Sequence, residues 1–208
     1  MHLSKEGKRV GVVLAGGGST RFSGEKAFAN NQGSFFYQHI LQSLAPHVDQ
    51  TVIVSRPDLK ERFLQETFAA HIIEDCKEVA GKGPLAGLYS VMNQVLADSY
   101  VVAAVDMPQL DQRAVKKLTQ YPFENALAVV PTVNGRIQPL FAQYQKQCLP
   151  ILKKQLEAGS HRMIDFLDQI EARYVSNIEL DIPADCFVNI NDDSSYKDLL
   201  AGTQKKGE

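Results

Sequence analysis

The chain has no excess of charge of either sign. Its 22 Lys and Arg against 24 Asp and Glu leave a formal charge of -2 over 208 residues. No global basic field therefore recruits nucleic acid or an anionic membrane, and any anion site must be local. Cysteine is sparse. Cys76, Cys148 and Cys186 stand far apart, with no CxxC pair and no histidine at zinc-finger spacing. That argues against a disulfide framework or structural zinc and for incidental thiols in a reducing compartment. Long apolar runs are missing as well. The polar stretch MHLSKEGKRV is followed by only five apolar-leaning residues before glycines intervene, too few for a signal-peptide core or a membrane span. The expectation is a soluble, cytoplasmic protein with neither nucleic acid nor membrane as partner. Repeats, low-complexity tracts and linker-like stretches are also lacking. At 44% hydrophobic content the chain can bury one sizeable core, so a single domain over residues 1–208 is expected. Without a heptad or a large apolar strip, a monomer with transient partners is the expected state.

What is present is a rhythm. Apolar runs rich in β-branched residues recur at Val10 to Leu14, Thr51 to Val54, Ile72 and Ile73, Tyr100 to Val105, and Leu127 to Val130. Unbroken rather than alternating, they predict strands covered on both faces, as in a parallel sheet. Between them, Phe35 to Leu44 and Leu85 to Leu96 carry helical stripes. Alternating strand and helix predict an α/β fold with helices on both faces of a mostly parallel sheet. After Pro131 the pattern changes. Asn134-Gly135 predicts a hairpin turn, with a strand over Ile137 to Tyr144. Helices are expected at Gln147 to Glu157, Met163 to Ile170 and Asp193 to Ala201, and short strands at Arg173 to Ser176 and Cys186 to Ile190. This second half, from about 121 to 201, is expected to form a small lobe on the same domain.

The segment Leu14 to Lys26 reads LAGGGSTRFSGEK. It is not a P-loop, because Glu25 separates Gly24 from Lys26 and Ala27 follows where a magnesium-binding hydroxyl belongs. Nor is it a dinucleotide fingerprint, since Arg21 stands at the sixth position counted from Gly16. An apolar strand instead delivers its carboxyl end into Ala15, Gly16, Gly17 and Gly18, whose missing side chains let backbone N–H groups approach an anion. Arg21 adds a planar fork for phosphate oxygens and Lys26 a compact charge. Asp106 follows the apolar run at Tyr100 to Val105 and precedes Met107 and Pro108. There a carboxylate can coordinate Mg²⁺ bridging phosphates, or it can serve as a turn residue or as a cap for a helix near Asp111.

These stretches resemble a known family. LAGG followed by Ser19, Arg21 and Lys26 is similar to the LAGGxSxRMGxxK signature of the molybdenum cofactor guanylyltransferases and their nucleotidyltransferase relatives. GPLAG at Gly83 to Gly87, DMP at Asp106 to Pro108 and NIN at Asn189 to Asn191 follow in the family's order and span most of the chain. Two departures stand out: Phe22-Ser23 replaces Met-Gly, and DDSSY from Asp192 replaces TPEDL-like residues. The resemblance implies a Rossmann-like nucleotidyltransferase fold, with the NTP bound by residues of about 8 to 120. It implies transfer of GMP from GTP to the terminal phosphate of molybdopterin, with release of pyrophosphate and with Mg²⁺ held at Asp106. Leu14, Ala15, Gly16, Gly17, Lys26, Asp75 and Asp106 would bind the nucleotide, and Arg21, Lys26 and Asp106 would be catalytic. Cofactor-synthesis proteins or apo-molybdoenzymes would be transient partners. An acceptor that is itself a phosphate monoester is already anionic, so no general base is needed.

Selection of base and acceptor is less defined. Asp75 can read the N–H edge of guanine, hold the ribose, or be a solvated loop carboxylate. Gly83 and Gly87 flank Pro84 at a helix start where small residues admit a close neighbour. Arg136, Gln138, Arg162, Asn189 and Asn191 are candidates for an acceptor pocket, amides matching a pterin edge and arginine its phosphate, although arginines are also common on surfaces and asparagines in caps. Lys82 is expected in solvent. His39 and His47, read as lying on a predicted helix, are expected to be structural, and His161 has no assignment. Two other readings remain open: a related nucleotidyltransferase using CTP or a sugar phosphate, and a non-catalytic adaptor that delivers the cofactor.

Overall fold

A computed structural model describes residues 7–17, 21–67 and 70–204. Its main sheet contains β1 (Arg9–Leu14), β4 (Gln50–Ser55), β5 (His71–Glu74), β6 (Ser99–Ala104), β7 (Ala128–Val133), β8 (Arg136–Ile137), β9 (Phe141–Gln145) and β10 (Ala172–Ser176). The strands run in the order β10-β7-β9-β6-β1-β4-β5, with β8 paired to β7. β1 is central and parallel to both neighbours, Val12 facing Val52 on one side and Val102 on the other. β9 alone on this path runs antiparallel, beside β6 and β7. A small ribbon, β2 (Asn30–Asn31) with β3 (Ser34–Phe35), lies off the sheet.

Alternate residues of each strand feed opposite cores, which is why the strand sequences read as apolar throughout. Val13, Ile53, Val101, Ala103 and Val129 face one core. There α1 (Phe36–Leu44), α2 (Pro57–Glu66) and α4 (Gln112–Gln120) contribute Ile40, Leu44, Phe63 and Leu118. Val10, Val12, Val52, Val54 and Val102 face the other core, which is covered by α3 (Pro84–Gln94), α5 (Leu149–Glu157) and α6 (Met163–Leu167). The eight residues Leu85 to Met92 of α3 are all buried, so this helix is apolar on every side rather than amphipathic. Gly11 lies under α1, where a Cβ would come within 3.2 Å of Leu44 Cβ and 3.1 Å of Val48. α7 (Asp193–Gln204) closes the chain beside the first core through Tyr196 and Leu199.

The expected α/β architecture holds, with some differences of detail. The Asn134-Gly135 hairpin forms with both residues at positive φ (50° and 75°), and Val133 pairs with Arg136, the geometry of a two-residue turn that follows strand twist. The strand after it is interrupted. β8 ends at Ile137 and β9 begins at Phe141, because Pro139 between them has no N–H to give a ladder. The strand expected at Cys186 to Ile190 is absent: a 3-10 turn spans Ala184–Phe187 after Pro183, and the Ile190 N–H donates to Asp106 O at 2.8 Å. β10 already occupies that sheet edge, so this segment attaches by side-chain burial of Cys186, Phe187 and Ile190 instead. Helix α2 escaped the periodicity reading, while α4 is the helix expected near Asp111. Their signals are local: Pro57 in the first turn of α2, and Asp111 capping α4 by accepting from Ala114 N at 2.7 Å.

Candidate active site

The carboxyl ends of β1, β4, β5 and β6 converge on one cavity of about 470 Å³. Its walls include Leu14, Gly16 and Gly17 after β1, Val54 of β4, Asp75 after β5, and Ala104 to Asp106 after β6. Gly81, Gly83, Pro84 and Gly87 bring in the start of α3, and Leu140 and Asn191 the second half of the chain. An open α/β sheet binds ligands at this edge because the strand ends stop there while the flanking helices begin. Ala15 N donates to Val54 O at 2.9 Å and Val105 N to Leu14 O at 3.2 Å, which anchors the glycine loop and the Asp106 turn to the strands beneath them. Gly83, with φ +73° at the cap of α3, takes a conformation that a side chain would strain. Gly87 is small for a different reason: a Cβ there would come within 2.8 Å of Leu14 Cδ2 and 3.8 Å of Asp75 Oδ1.

Lys26 opens the 3-10 turn Lys26–Phe28 and reaches back across the cavity floor. Its Nζ donates to Asn191 Oδ1 at 2.7 Å and lies 3.8 Å from Asp106 Oδ2, with only 12% of the side chain exposed. Asp106 keeps its second oxygen, Oδ1, buried and without a protein partner. Burial raises the Asp106 carboxyl above the ordinary carboxylate range, and the Lys26 charge opposes that rise. Asp75 shows the same pattern. Its Oδ1 is buried and unpartnered, and desolvation lifts its pKa against hydrogen bonds from Gly81 and Ser90. Two buried carboxylate oxygens without donors thus belong to residues lining one cavity, a state that is costly unless a ligand supplies the partners. Among the described residues no group of three or more His, Cys, Asp or Glu is placed to hold a metal. One carboxylate with a free oxygen nonetheless suits Mg²⁺, which retains waters and binds through one or two carboxylates plus phosphates.

Of the residues singled out in the sequence, Leu14, Gly16, Gly17, Arg21, Lys26, Asp75, Gly83, Gly87, Asp106 and Asn191 line this cavity. Ala15 lies beneath, 3% exposed, within the core. Gly18 and Ser19 lie outside the described residues. Arg162 is elsewhere: it precedes α6 on the other half of the sheet, 75% exposed and 3.7 Å from Asp165. Asn189 and Arg136 are exposed and Gln138 is half-buried, and none of them lines the cavity. His39 bonds Asn31 O at 2.7 Å.

The two departures from the family signature touch each other. Ser23 donates from its N–H and its hydroxyl to the Asp193 carboxylate at 2.8 and 2.5 Å. The Phe22 ring lies 5.4 Å from that of Tyr196, whose hydroxyl donates to Asn30 O at 2.6 Å. Sequence reading also missed Arg56, which joins Glu25 at 2.7 Å and Asp58 at 2.8 Å and so braces the residue before Lys26. Nothing in the local pattern around Ser55-Arg56-Pro57 marks that bridge.

A glycine-lined cavity at the carboxyl edge of a mostly parallel sheet, with a largely buried lysine and buried unpaired carboxylate oxygens, defines a nucleotide-binding α/β protein. Residues 11–173 match the family model described as a MobA-like NTP transferase domain, and the chain belongs to that family of nucleotidyltransferases. It is 37% identical over 201 residues to a Bacillus subtilis protein named "Probable molybdenum cofactor guanylyltransferase", covering 96% of this chain and 99% of that one. A Bacillus cereus protein of the same name is 35% identical over 189 residues, 91% of this chain and 94% of the relative. Among solved structures, the molybdopterin-guanine dinucleotide biosynthesis protein A of Archaeoglobus fulgidus superposes with a TM-score of 0.79 at 24% identity, over 94% of this chain and 99% of its own, a likeness of fold. The family expected from LAGG, GPLAG, DMP and NIN is the one these comparisons show.

Proposed function

We propose that this nucleotidyltransferase joins GMP from GTP to the terminal phosphate of molybdopterin, releasing pyrophosphate. The observation that carries the reading is Lys26, held between Asn191 and Asp106 at the mouth of the glycine loop. A lysine so placed is a fixed cation for an α-phosphate, and its relatives' names supply guanine and the acceptor.

The chemistry asks little covalent work of the protein. An anionic oxygen of the acceptor phosphate attacks the α-phosphorus, the new P–O–P bond forms as the α–β bridging P–O bond breaks, and pyrophosphate leaves with the electron pair. No proton is transferred, so no general base is required. Backbone N–H groups of Gly16 and Gly17 meet the phosphates, while Arg21 and Lys26 offset the charge that spreads over the α-phosphoryl and the leaving group. Asp106, through its free oxygen, is the residue that would hold Mg²⁺, which supplies charge neutralisation to the triphosphate. Asp75 accepts hydrogen bonds from the base or ribose, and the closeness of Gly87 to its carboxylate keeps that wall open. Asn191 steers Lys26 as well as bordering the acceptor side. Arg162 and Asn189 fit this role less well, because they do not line the cavity. The NTP would occupy the part made by residues of about 8 to 120, and the acceptor would enter from the side of Leu140 and Asn191. A cytoplasmic setting, a monomeric state and transient contact with cofactor-synthesis proteins or apo-molybdoenzymes belong to the same reading. Among the described residues no helix is long and apolar enough to cross a membrane.

The test is pyrophosphate release from GTP with Mg²⁺, with and without molybdopterin, and with CTP or ATP in place of GTP. Release that depends on molybdopterin and is fastest with GTP is the expected result. Nucleotide binding without release would favour a carrier of the cofactor, and faster transfer from CTP would overturn the assignment of guanine.

A further inference from the structure

At the opposite edge of the sheet a second cavity, of about 650 Å³, opens between the amino end of β1, the turn after α1 and the carboxyl end of α4. It shares no lining residue with the nucleotide cavity. Arg9, His47, Lys116, Thr119 and Gln143 are among its walls. Three of these residues carry a buried polar atom that has no hydrogen-bond partner: Arg9 Nε, His47 Nε2 and Gln143 Oε1. Together with Asp75, Asp106 and Asn31 they make up all such atoms among the described residues, so half of the unsatisfied buried polar side chains described gather here.

Each leaves a definite demand. Gln143 is fully buried, and its amide nitrogen donates to Leu118 O at 2.5 Å and Tyr121 O at 3.2 Å. Flipping the amide would set its oxygen against two carbonyl oxygens, so Oε1 faces away from them and requires a donor. Arg9 gives its backbone N–H to Asp49 at 2.7 Å and reaches His47 O with Nη1 at 3.5 Å, which leaves Nε–H for an acceptor. Thr119 spends its hydroxyl on Lys116 O at 3.1 Å. Neither Arg9 nor Lys116 is in a salt bridge among the described residues, and Asp49 is the only carboxylate lining the cavity. The cavity therefore offers cationic donors and one acceptor that no carboxylate could satisfy.

We propose that this cavity binds a small oxyanion that retains an O–H at neutral pH, of the hydrogen phosphate class. Its anionic oxygens accept from Arg9 Nε–H and the Lys116 ammonium, and its O–H donates to Gln143 Oε1. His47 Nε2 completes the ring as donor or acceptor according to its tautomer. The site is independent of the transferase reading.

Backbone amide shifts of the full chain, followed by NMR during titration with phosphate, sulfate or chloride at matched ionic strength, test this directly. Phosphate should shift the amides of Val48, Thr119, Tyr121 and Phe123 saturably at millimolar concentration. Sulfate, which lacks an O–H at neutral pH, should bind about tenfold more weakly, the scale of one lost hydrogen bond to a buried group. Gln143→Leu should abolish that preference. Lys116→Gln, an exposed change that leaves the fold intact, should weaken both anions. Lys26→Ala should leave these shifts in place while altering those of the glycine loop. A response that is absent, unsaturable, equal for sulfate and phosphate, or unchanged by Lys116→Gln would overturn the proposal.

Discussion

Lys26 is largely buried against Asp106 and Asn191, so its charge is fixed in place before any ligand arrives. Replacing it removes one preorganised donor to the developing charge. Lys26→Ala should lower turnover by at least ~100-fold in the pyrophosphate-release assay; turnover near wild type would show that the α-phosphate is held otherwise. Asp75 makes a prediction of the opposite kind. Burial raises its pKa above the ordinary 3.8, so between those two values the folded protein keeps a proton that the unfolded chain has lost. Stability from that retained proton is present at low pH and is lost as pH rises through the raised pKa. Asp75→Asn, which cannot ionise, should therefore become progressively more stable than wild type from acid toward neutral pH, and the gap should then level off. Thermal melts across that range check it, and parallel melting curves would show that the carboxyl titrates normally. The same variant should bind GTP more weakly, because an accepting oxygen has become a donating amide.

Among the elements, α7 has the most consequence for the site. Its first turn grips the phosphate loop through Asp193 and Ser23, its Tyr196 packs on Phe22, and Asn191 just before it holds Lys26. The segments that depart from the family signature thus fit one another. Phe22 is 8% exposed, its ring packed against that of Tyr196. Asp193→Ala should loosen the loop that carries Arg21 and raise the KM for GTP roughly fivefold, the effect of one or two net hydrogen bonds, while changing kcat less. Ser23→Ala, which keeps the backbone N–H bond to Asp193, should raise it less, and the double variant should be no worse than Asp193→Ala alone. Additive losses would mean that the two residues act separately. α3 makes the contrasting case. Its cap Gly83 and its wall residue Gly87 stand at the cavity, so a helix buried on all sides also shapes the nucleotide pocket.

For the whole molecule, the cavity gathers residues from seven separate stretches of chain around the carboxyl edge of the sheet. Each buried oxygen left unpaired there is a stability deficit that a ligand can offset. Saturating GTP with Mg²⁺ should accordingly raise the melting temperature, by an amount that grows with the logarithm of nucleotide concentration. Lys26→Ala should lose most of that increment. An unchanged melting point in the presence of either GTP or CTP would argue against the cavity as a nucleotide site.

Much of this was legible in the sequence because it depends on short range. Strand runs such as Val10 to Leu14 and Tyr100 to Val105 announce a doubly covered parallel sheet by being apolar without alternation, and Asn134-Gly135 announces its own hairpin. The glycine loop and Asp106 could be found because each follows directly on a strand, where chain direction already aims it at the ligand edge, and Lys26 because it ends the same glycine-rich segment. The rest rested on contacts between residues far apart. That Ser23 meets Asp193, that Asn191 rather than Arg162 reaches the cavity, and that Cys186 to Ile190 lies outside the sheet all follow from which edges were already filled. Arg9, His47 and Gln143 come from three separate elements with no motif in common, and only packing places their unpaired atoms around one space. Local composition therefore determined the elements and the loop that faces phosphate, since backbone preference and strand burial act between near neighbours. The tertiary structure decided which distant side chains complete each site, because only a closed core sets which polar groups are cut off from water and left seeking a partner.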